Sequence, residues 1–233
     1  MGFIKRSTLR PRRRLLAWTL CLTLTVLCCL SPAAEATNVG TSLTVGIQST
    51  KTTTISPLYP LERDMMSIYG LVYESLVTID DDYLPAPGLA ESWEMSSAGK
   101  TWTFHLRENV TFSDGTPLTA NDVVATAQHI LDRAQDEYAD DKGYYRNLTY
   151  FIRSISASDD YTVVVKSKRS YWGLLYAMTF PILPADRVQA DNPPGTGAYV
   201  IENFMPGDYI YLRANPNWWQ NQPKVQEITV ICH

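Results

Sequence analysis

The side chains that could carry chemistry are few and far apart. Histidine occurs three times, as His105, His129 and the terminal His233. An imidazole acting as a general base needs a nucleophile beside it, and one acting as a metal ligand needs a second ligand at matching spacing. Neither His105 nor His129 has such a neighbour in sequence, and both read as structural. The triplet Asp80-Asp81-Asp82 offers carboxylates in the manner of a calcium loop. The twelve-residue alternation of oxygen ligands, with its glycine and closing glutamate, is missing, so the triplet reads as a solvated turn. Gly195-Thr196-Gly197 has the glycines of a phosphate-cradling loop but not the Gly-Lys-Ser/Thr or the helix that must follow. Of four cysteines, Cys21, Cys28 and Cys29 fall in the N-terminal apolar run. Cys232 is alone in the body, where one thiol can close no internal disulfide and build no Cys-rich metal site. No catalytic residue, metal site or cofactor is predicted.

Composition bounds the partners. The chain has 233 residues, 45% hydrophobic and 19% charged, which is globular and long enough for one large or two small domains. The formal charge of −4 hides an asymmetry. Residues 1–36 hold six bases against the single acid Glu35, leaving 14 bases and 23 acids in the remainder, a charge of −9. So acidic a body repels polyanions, and nucleic acid is not an expected partner. The N-terminal segment has the three regions of a secretory signal peptide: a basic stretch over 1–14, an apolar run from Leu15 to Leu30, and the small residues of Ala34-Glu35-Ala36. The run of 16 residues is short for a membrane span, so cleavage after Ala36 is expected and the mature body begins at 37. Lipid anchoring at Cys28 or Cys29 is an alternative, weakened by Leu27 before Cys28 and by the Cys28–Cys29 pair. The arginine run does not complete a twin-arginine pattern.

The elements that would position any site follow from periodicity. In Thr101–Arg107, Trp102, Phe104 and Leu106 alternate with polar residues, the pattern of a half-buried strand. Ser92–Met95 pairs with it across a turn at Ser97–Lys100. Thr119 stands three residues before Asp122, the spacing of a capping box, and opens a helix with Val123, Val124, Ala127, Ile130, Leu131 and Ala134 on one stripe. Asp64–Ser75 has helical spacing, with Met65, Ile68, Tyr69 and Val72 inward and Met66 off the stripe. Thr41–Gln48 reads as a short buried strand. Further strands are predicted at Leu76–Ile79, Ile152–Ser158, Tyr161–Ser167, Tyr199–Phe204, Tyr209–Arg213 and Val225–Ile231, a short helix at Tyr171–Met178 and a strand edge at Phe180–Pro184.

The order of these parts closely resembles the signature region of extracellular solute-binding proteins of family 5, the peptide, oligopeptide and nickel-chelate receptors of ATP-driven importers. The matching pieces are Glu91-Ser-Trp93, Gly99-Lys-Thr-Trp102, Phe104-His-Leu-Arg107, Phe112-Ser-Asp-Gly-Thr-Pro117 and Thr119-Ala-Asn-Asp-Val123. Tyr73-Glu74-Ser-Leu76, Asp160-Tyr-Thr-Val-Val-Val165 and Gly195-Thr-Gly-Ala-Tyr199 extend the likeness over about residues 41–231. Trp218 stands where the family has Tyr, and Ala214 separates Arg213 from Asn215.

The resemblance implies an α/β (mixed α+β) fold: the large lobe of a type II periplasmic-binding-protein-like receptor, truncated before the second lobe. It implies the substrate-binding component of an ABC importer, not an enzyme. Such a receptor is exported to the periplasm or the outer face of the cell membrane, and meets the membrane through the transporter permease or a lipid anchor. The expected ligand is a peptide, with a nickel or other metal chelate or another small solute as alternatives and a secreted enzyme as the remote one. Expected cleft residues are Thr52, Thr53 and Thr54, in the loop that leaves the first strand; Met66, where nickel-binding relatives place a methionine; and Tyr144 and Tyr145, whose rings offer an apolar face with a hydrogen-bonding tip.

Overall fold

The computed structural model describes residues 41–48, 52–59, 62–139 and 143–233. The signal peptide expected over 1–36 and the boundary at 37 lie outside the described residues. No helix among the described residues is long and apolar enough to cross a membrane.

Two four-stranded sheets carry the structure. The first has the order β4-β5-β7-β6, built from β4 (Ala90–Met95), β5 (Thr101–Leu106), β6 (Ile152–Asp159) and β7 (Thr162–Ser167). All of its pairs are antiparallel. Its core face is the one that the alternation in β5 predicts: Trp102, Phe104 and Leu106 are buried, each contributing roughly 1.5–3 kcal/mol of burial free energy. Helix α2 (Ala120–Gln135) packs on β6 and β7 through Val123, Ala127, Ile130 and Leu131. It starts where the Thr119–Asp122 spacing predicts. The Asp122 carboxylate accepts Thr119 N–H at 2.8 Å and Thr119 O–H at 2.9 Å, and its other oxygen accepts Ala185 N–H at 2.9 Å.

The second sheet has the order β1-β10-β9-β8, from β1 (Thr41–Ile47), β8 (Tyr199–Met205), β9 (Tyr209–Ala214) and β10 (Val225–Cys232). β8, β9 and β10 form an antiparallel meander, and β1 joins β10 in parallel, Leu43 beside Ile228 and Val45 beside Val230. A short ladder of β2 (Val77–Ile79) and β3 (Pro85–Pro87) lies apart from both sheets. Helix α1 (Arg63–Val72), two single-turn helices, α3 (Leu148–Phe151) and α4 (Leu174–Ala177), and a 3-10 turn at Ala185–Arg187 complete the set described here.

Several boundaries differ from the sequence reading, each for a physical reason. β1 is exposed along nearly its whole length, because it is an edge strand paired only to β10 among the described residues. Helix α1 stops at Val72 and not at Ser75. Gly197 N–H donates to the Val72 carbonyl at 2.9 Å, Tyr73 runs extended, and the Glu74 carbonyl accepts Ile182 N–H. Phe180–Pro184 forms no strand, only a single bridge from Pro181 to Ser75. The helix expected over Tyr171–Met178 is confined to Leu174–Ala177, with turns before it.

Candidate functional site

The stretches that make up the sequence signature converge on one carboxylate. Glu74 follows α1. Its Oε2 accepts Thr196 O–H at 2.8 Å and Trp219 Nε1–H at 2.9 Å, while its Oε1 accepts Trp218 Nε1–H at 3.3 Å. Arg107, at the end of β5, lays its guanidinium 4.6 Å from the centre of the Trp219 ring and donates Nε–H to Gly88 O at 2.9 Å. Burial raises the Glu74 pKa above the usual carboxylate value, against the opposing pull of the three donors and the Arg107 charge. Gly195 and Gly197 are needed for closeness: a Cβ on Gly195 would sit 2.0 Å from Val72 O, and one on Gly197 2.6 Å from Leu71 O. The Phe112–Pro117 turn joins the same latch. Ser113 N–H donates to Gly195 O at 2.8 Å, and the Asp114 carboxylate takes Arg187 at 2.7 Å and Thr116 from both its N–H and its O–H. Despite some burial, those bonds hold the Asp114 pKa below the usual value. This constellation is a structural tie between elements, and its carboxylate is already saturated with donors.

A groove lies beside it. Met66, Tyr69, Gly70 and Tyr73 are spaced i, i+3, i+4 and i+7, so the end of α1 turns one face toward a cavity of about 280 Å³. Ser75, Thr78, Tyr145, Thr179 and Pro181 close its other sides. A second cavity, of about 520 Å³, adjoins it and shares Tyr145 and Thr179; it adds Tyr144, Arg146, Asn147 and Tyr176. Together they form an open groove of the size that small ligands occupy. Most of its tyrosine hydroxyls are committed to backbone. Tyr69 Oη accepts Ser56 N–H at 3.3 Å, Tyr73 O–H donates to Pro193 O at 3.0 Å, and Tyr176 O–H donates to Tyr83 O at 3.1 Å. Tyr144 and Tyr145 meet edge to face, ring centres 5.0 Å apart, and their hydroxyls make no hydrogen bond within the described residues. Burial, helped by Tyr144, pushes the Tyr145 pKa up to about 12, so it stays a neutral donor and acceptor at physiological pH. Arg146 is the one charged residue in the described lining, and no carboxylate is among the described lining residues of either cavity.

Of the residues expected from sequence, the groove brings together Met66, Tyr144 and Tyr145. It does not bring in the threonines. Thr52 is buried and donates its hydroxyl to Glu62 Oε2 at 3.1 Å, while Thr53 and Thr54 are exposed and outside the described lining. The segment that follows them reaches the groove wall only through Ser56 and Tyr69. Sequence reasoning missed Tyr69 and Tyr73 as lining residues. The Met66–Tyr73 spacing carried the signal, but it is superposed on the stripe of Met65, Ile68, Tyr69 and Val72 that packs inward. The histidines have structural partners: His129 Nε2 lies 2.8 Å from Tyr59 Oη, and His105 Nε2 lies 3.9 Å from Glu94 Oε1. No group of three His, Cys, Asp or Glu among the described residues is arranged to hold a metal ion.

Residues 85–232 match the family model described as bacterial extracellular solute-binding proteins, family 5 Middle. Over 216 residues the chain is 33% identical to protein XP55 of Streptomyces lividans, which covers 87% of this chain and 38% of that protein. It is 32% identical over 176 residues to the periplasmic oligopeptide-binding protein OppA of Salmonella typhimurium, covering 66% of this chain and 32% of that one. Among solved structures, the oligopeptide-binding protein AppA of Bacillus subtilis, in complex with a nonapeptide, superposes with a TM-score of 0.71 at 25% identity, over 83% of this chain and 40% of AppA. The chain thus spans well under half the length of these relatives.

Proposed function

Because the chain belongs to the bacterial extracellular solute-binding proteins of family 5, we propose that it is the substrate-binding component of an ABC importer and takes peptides in a cleft of which its tyrosine groove forms one wall. The observation that carries this is the pair Tyr144 and Tyr145, whose hydroxyls alone among the groove tyrosines are uncommitted. Aromatic faces beside neutral hydroxyls suit an extended peptide, whose backbone supplies both donors and acceptors and whose side chains vary. The family is made up of solute-binding receptors, so no catalytic role is assigned. The relatives' names, a periplasmic protein for OppA and an ABC transporter periplasmic-binding protein for SapA of Escherichia coli, support export to the periplasm and partnership with an importer. In the full receptor, closure would be driven by the ligand's higher affinity for the closed state, and the residues of this chain would supply one face of it.

Calorimetric titration of the 233-residue chain with short peptides tests the reading. Saturable binding is expected, weakened about tenfold by Tyr145→Ala, which removes an aromatic anchor. Met66 puts a thioether in the same groove, so nickel–histidine is the comparison arm. Saturation by the chelate with none by peptides would overturn the peptide assignment, and no saturation by either would overturn the receptor reading for this chain.

A further inference from the structure

Helices α3 and α4 wall a third cavity that shares no described lining residue with the groove. Asn147, Tyr176 and Ala177, at and around these helices, face the groove, whereas Phe151 and Leu174 line this other space of about 420 Å³. Its character differs from the groove's. Phe151 and Tyr171 stack, ring centres 5.8 Å apart and planes 7° from parallel, and make an aromatic wall. Tyr150 and Leu174 extend the apolar surface. The polar groups are Ser167, Ser170 and Arg169. Ser167 is already spent, its hydroxyl directed at the Lys100 and Arg169 carbonyls at 3.2 and 2.6 Å. The Arg169 guanidinium makes no ion pair and no side-chain hydrogen bond among the described residues.

The segments that line the cavity carry charge of one sign. From Gly143 to Ser158 there are two arginines and no acid, and from Tyr161 to Ala185 there are Lys166, Lys168 and Arg169 and no acid. Both segments that line the cavity are therefore free of carboxylates, in a body whose formal charge after residue 36 is −9. Basic side chains beside stacked aromatic rings favour an anion with an aromatic body. The volume lies in the range of small-molecule sites and exceeds what a single ring with a short acid chain needs.

We propose that this cavity is a second ligand site, for a small aromatic monocarboxylate whose ring lies on the Phe151–Tyr171 wall and whose carboxylate pairs with Arg169. Occupancy would be independent of the groove, because the two share helices but no described side chain.

Phenylacetate and its neutral analogue phenylacetamide, titrated into the 233-residue chain and followed by ligand-observed NMR, test it. Phenylacetate is expected to bind saturably and about fivefold more tightly than the amide, the scale of one exposed ion pair. Arg169→Gln should abolish that preference while leaving amide binding in place. Gly173→Ala should weaken both ligands, because a Cβ there would lie 1.9 Å from Tyr171 Cε1 and push the ring off Phe151. Arg146→Gln, on the groove side, should change neither. If phenylacetate does not saturate, if acid and amide bind alike, or if Arg146→Gln removes the preference that Arg169→Gln leaves intact, the proposal is wrong. Arg169 is exposed, so its variant tests the charge contact even if the Gly173 variant fails to fold.

Discussion

Glu74 shows how much a single side chain can organise. Its carboxylate receives three donors from two distant segments. Glu74→Ala leaves Thr196, Trp218 and Trp219 without their acceptor, and it should destabilise the chain by roughly 1–3 kcal/mol in urea unfolding. Its titration has a definite sign. Burial raises the folded-state pKa, so the Glu74 contribution to stability is present below the ordinary carboxylate pKa and declines as pH rises through the raised value. The stability of the native chain relative to Glu74→Gln should therefore fall as pH rises from the ordinary carboxylate range through the raised value. His129 has the opposite sense. Partial burial, with the nearby Arg133 charge, lowers its pKa below the usual imidazole value, against the attraction of Asp132. Its contribution holds above that usual value and is lost as pH falls through the lowered one. Denaturation midpoints of the native chain and His129→Gln should converge as the buffer is acidified, and midpoints that diverge would contradict this assignment.

Among the elements, α1 carries two glycine-dependent contacts with opposite expectations. Gly70 sits in the last turns of the helix, exposed, with nothing within 4 Å of where a Cβ would stand. Gly70→Ala should raise stability by roughly 0.5–1 kcal/mol through helix propensity, while Gly70→Phe should narrow the groove and weaken ligand binding without unfolding the chain. Gly195 meets the end of the same helix at a distance no Cβ tolerates, and Gly195→Ala should cost about 1–3 kcal/mol or prevent folding, which a thermal melt would register. The difference between these glycines also marks what the sequence could and could not reveal. Alternation exposed β5, and the Thr119–Asp122 spacing exposed the start of α2, because period and caps are local properties. The edge position of β1 was not legible, since burial depends on which strand lies alongside, and that strand pairs Val225 with Thr41, 184 residues away. Nor was the groove face of α1: Tyr69 serves the core and the groove at once, so one period contained two faces. The threonines lie outside the described groove lining, and the Thr52 hydroxyl turns back to Glu62.

The whole molecule presents an uneven surface. Leu43 and Val45 are 46% and 37% exposed on β1, an edge strand of seven residues with no charge and no proline. Natural edges are usually blunted by those residues, so this one invites pairing between copies. Val45→Lys should reduce concentration-dependent association in sedimentation experiments without lowering the unfolding midpoint. The register of the second sheet has one more consequence. β1 pairs with β10 in parallel, Thr41 opposite Val225 and Ile47 opposite Cys232. At a synthesis rate of about 5–20 residues per second, β1 leaves the ribosome about 10–40 s before its only described partner exists. Local hairpins such as β4–β5 can close in that interval, whereas β1 waits for a partner far along the chain. Closing that loop, the longest between any two of the described paired strands, is therefore the slow step in completing the second sheet.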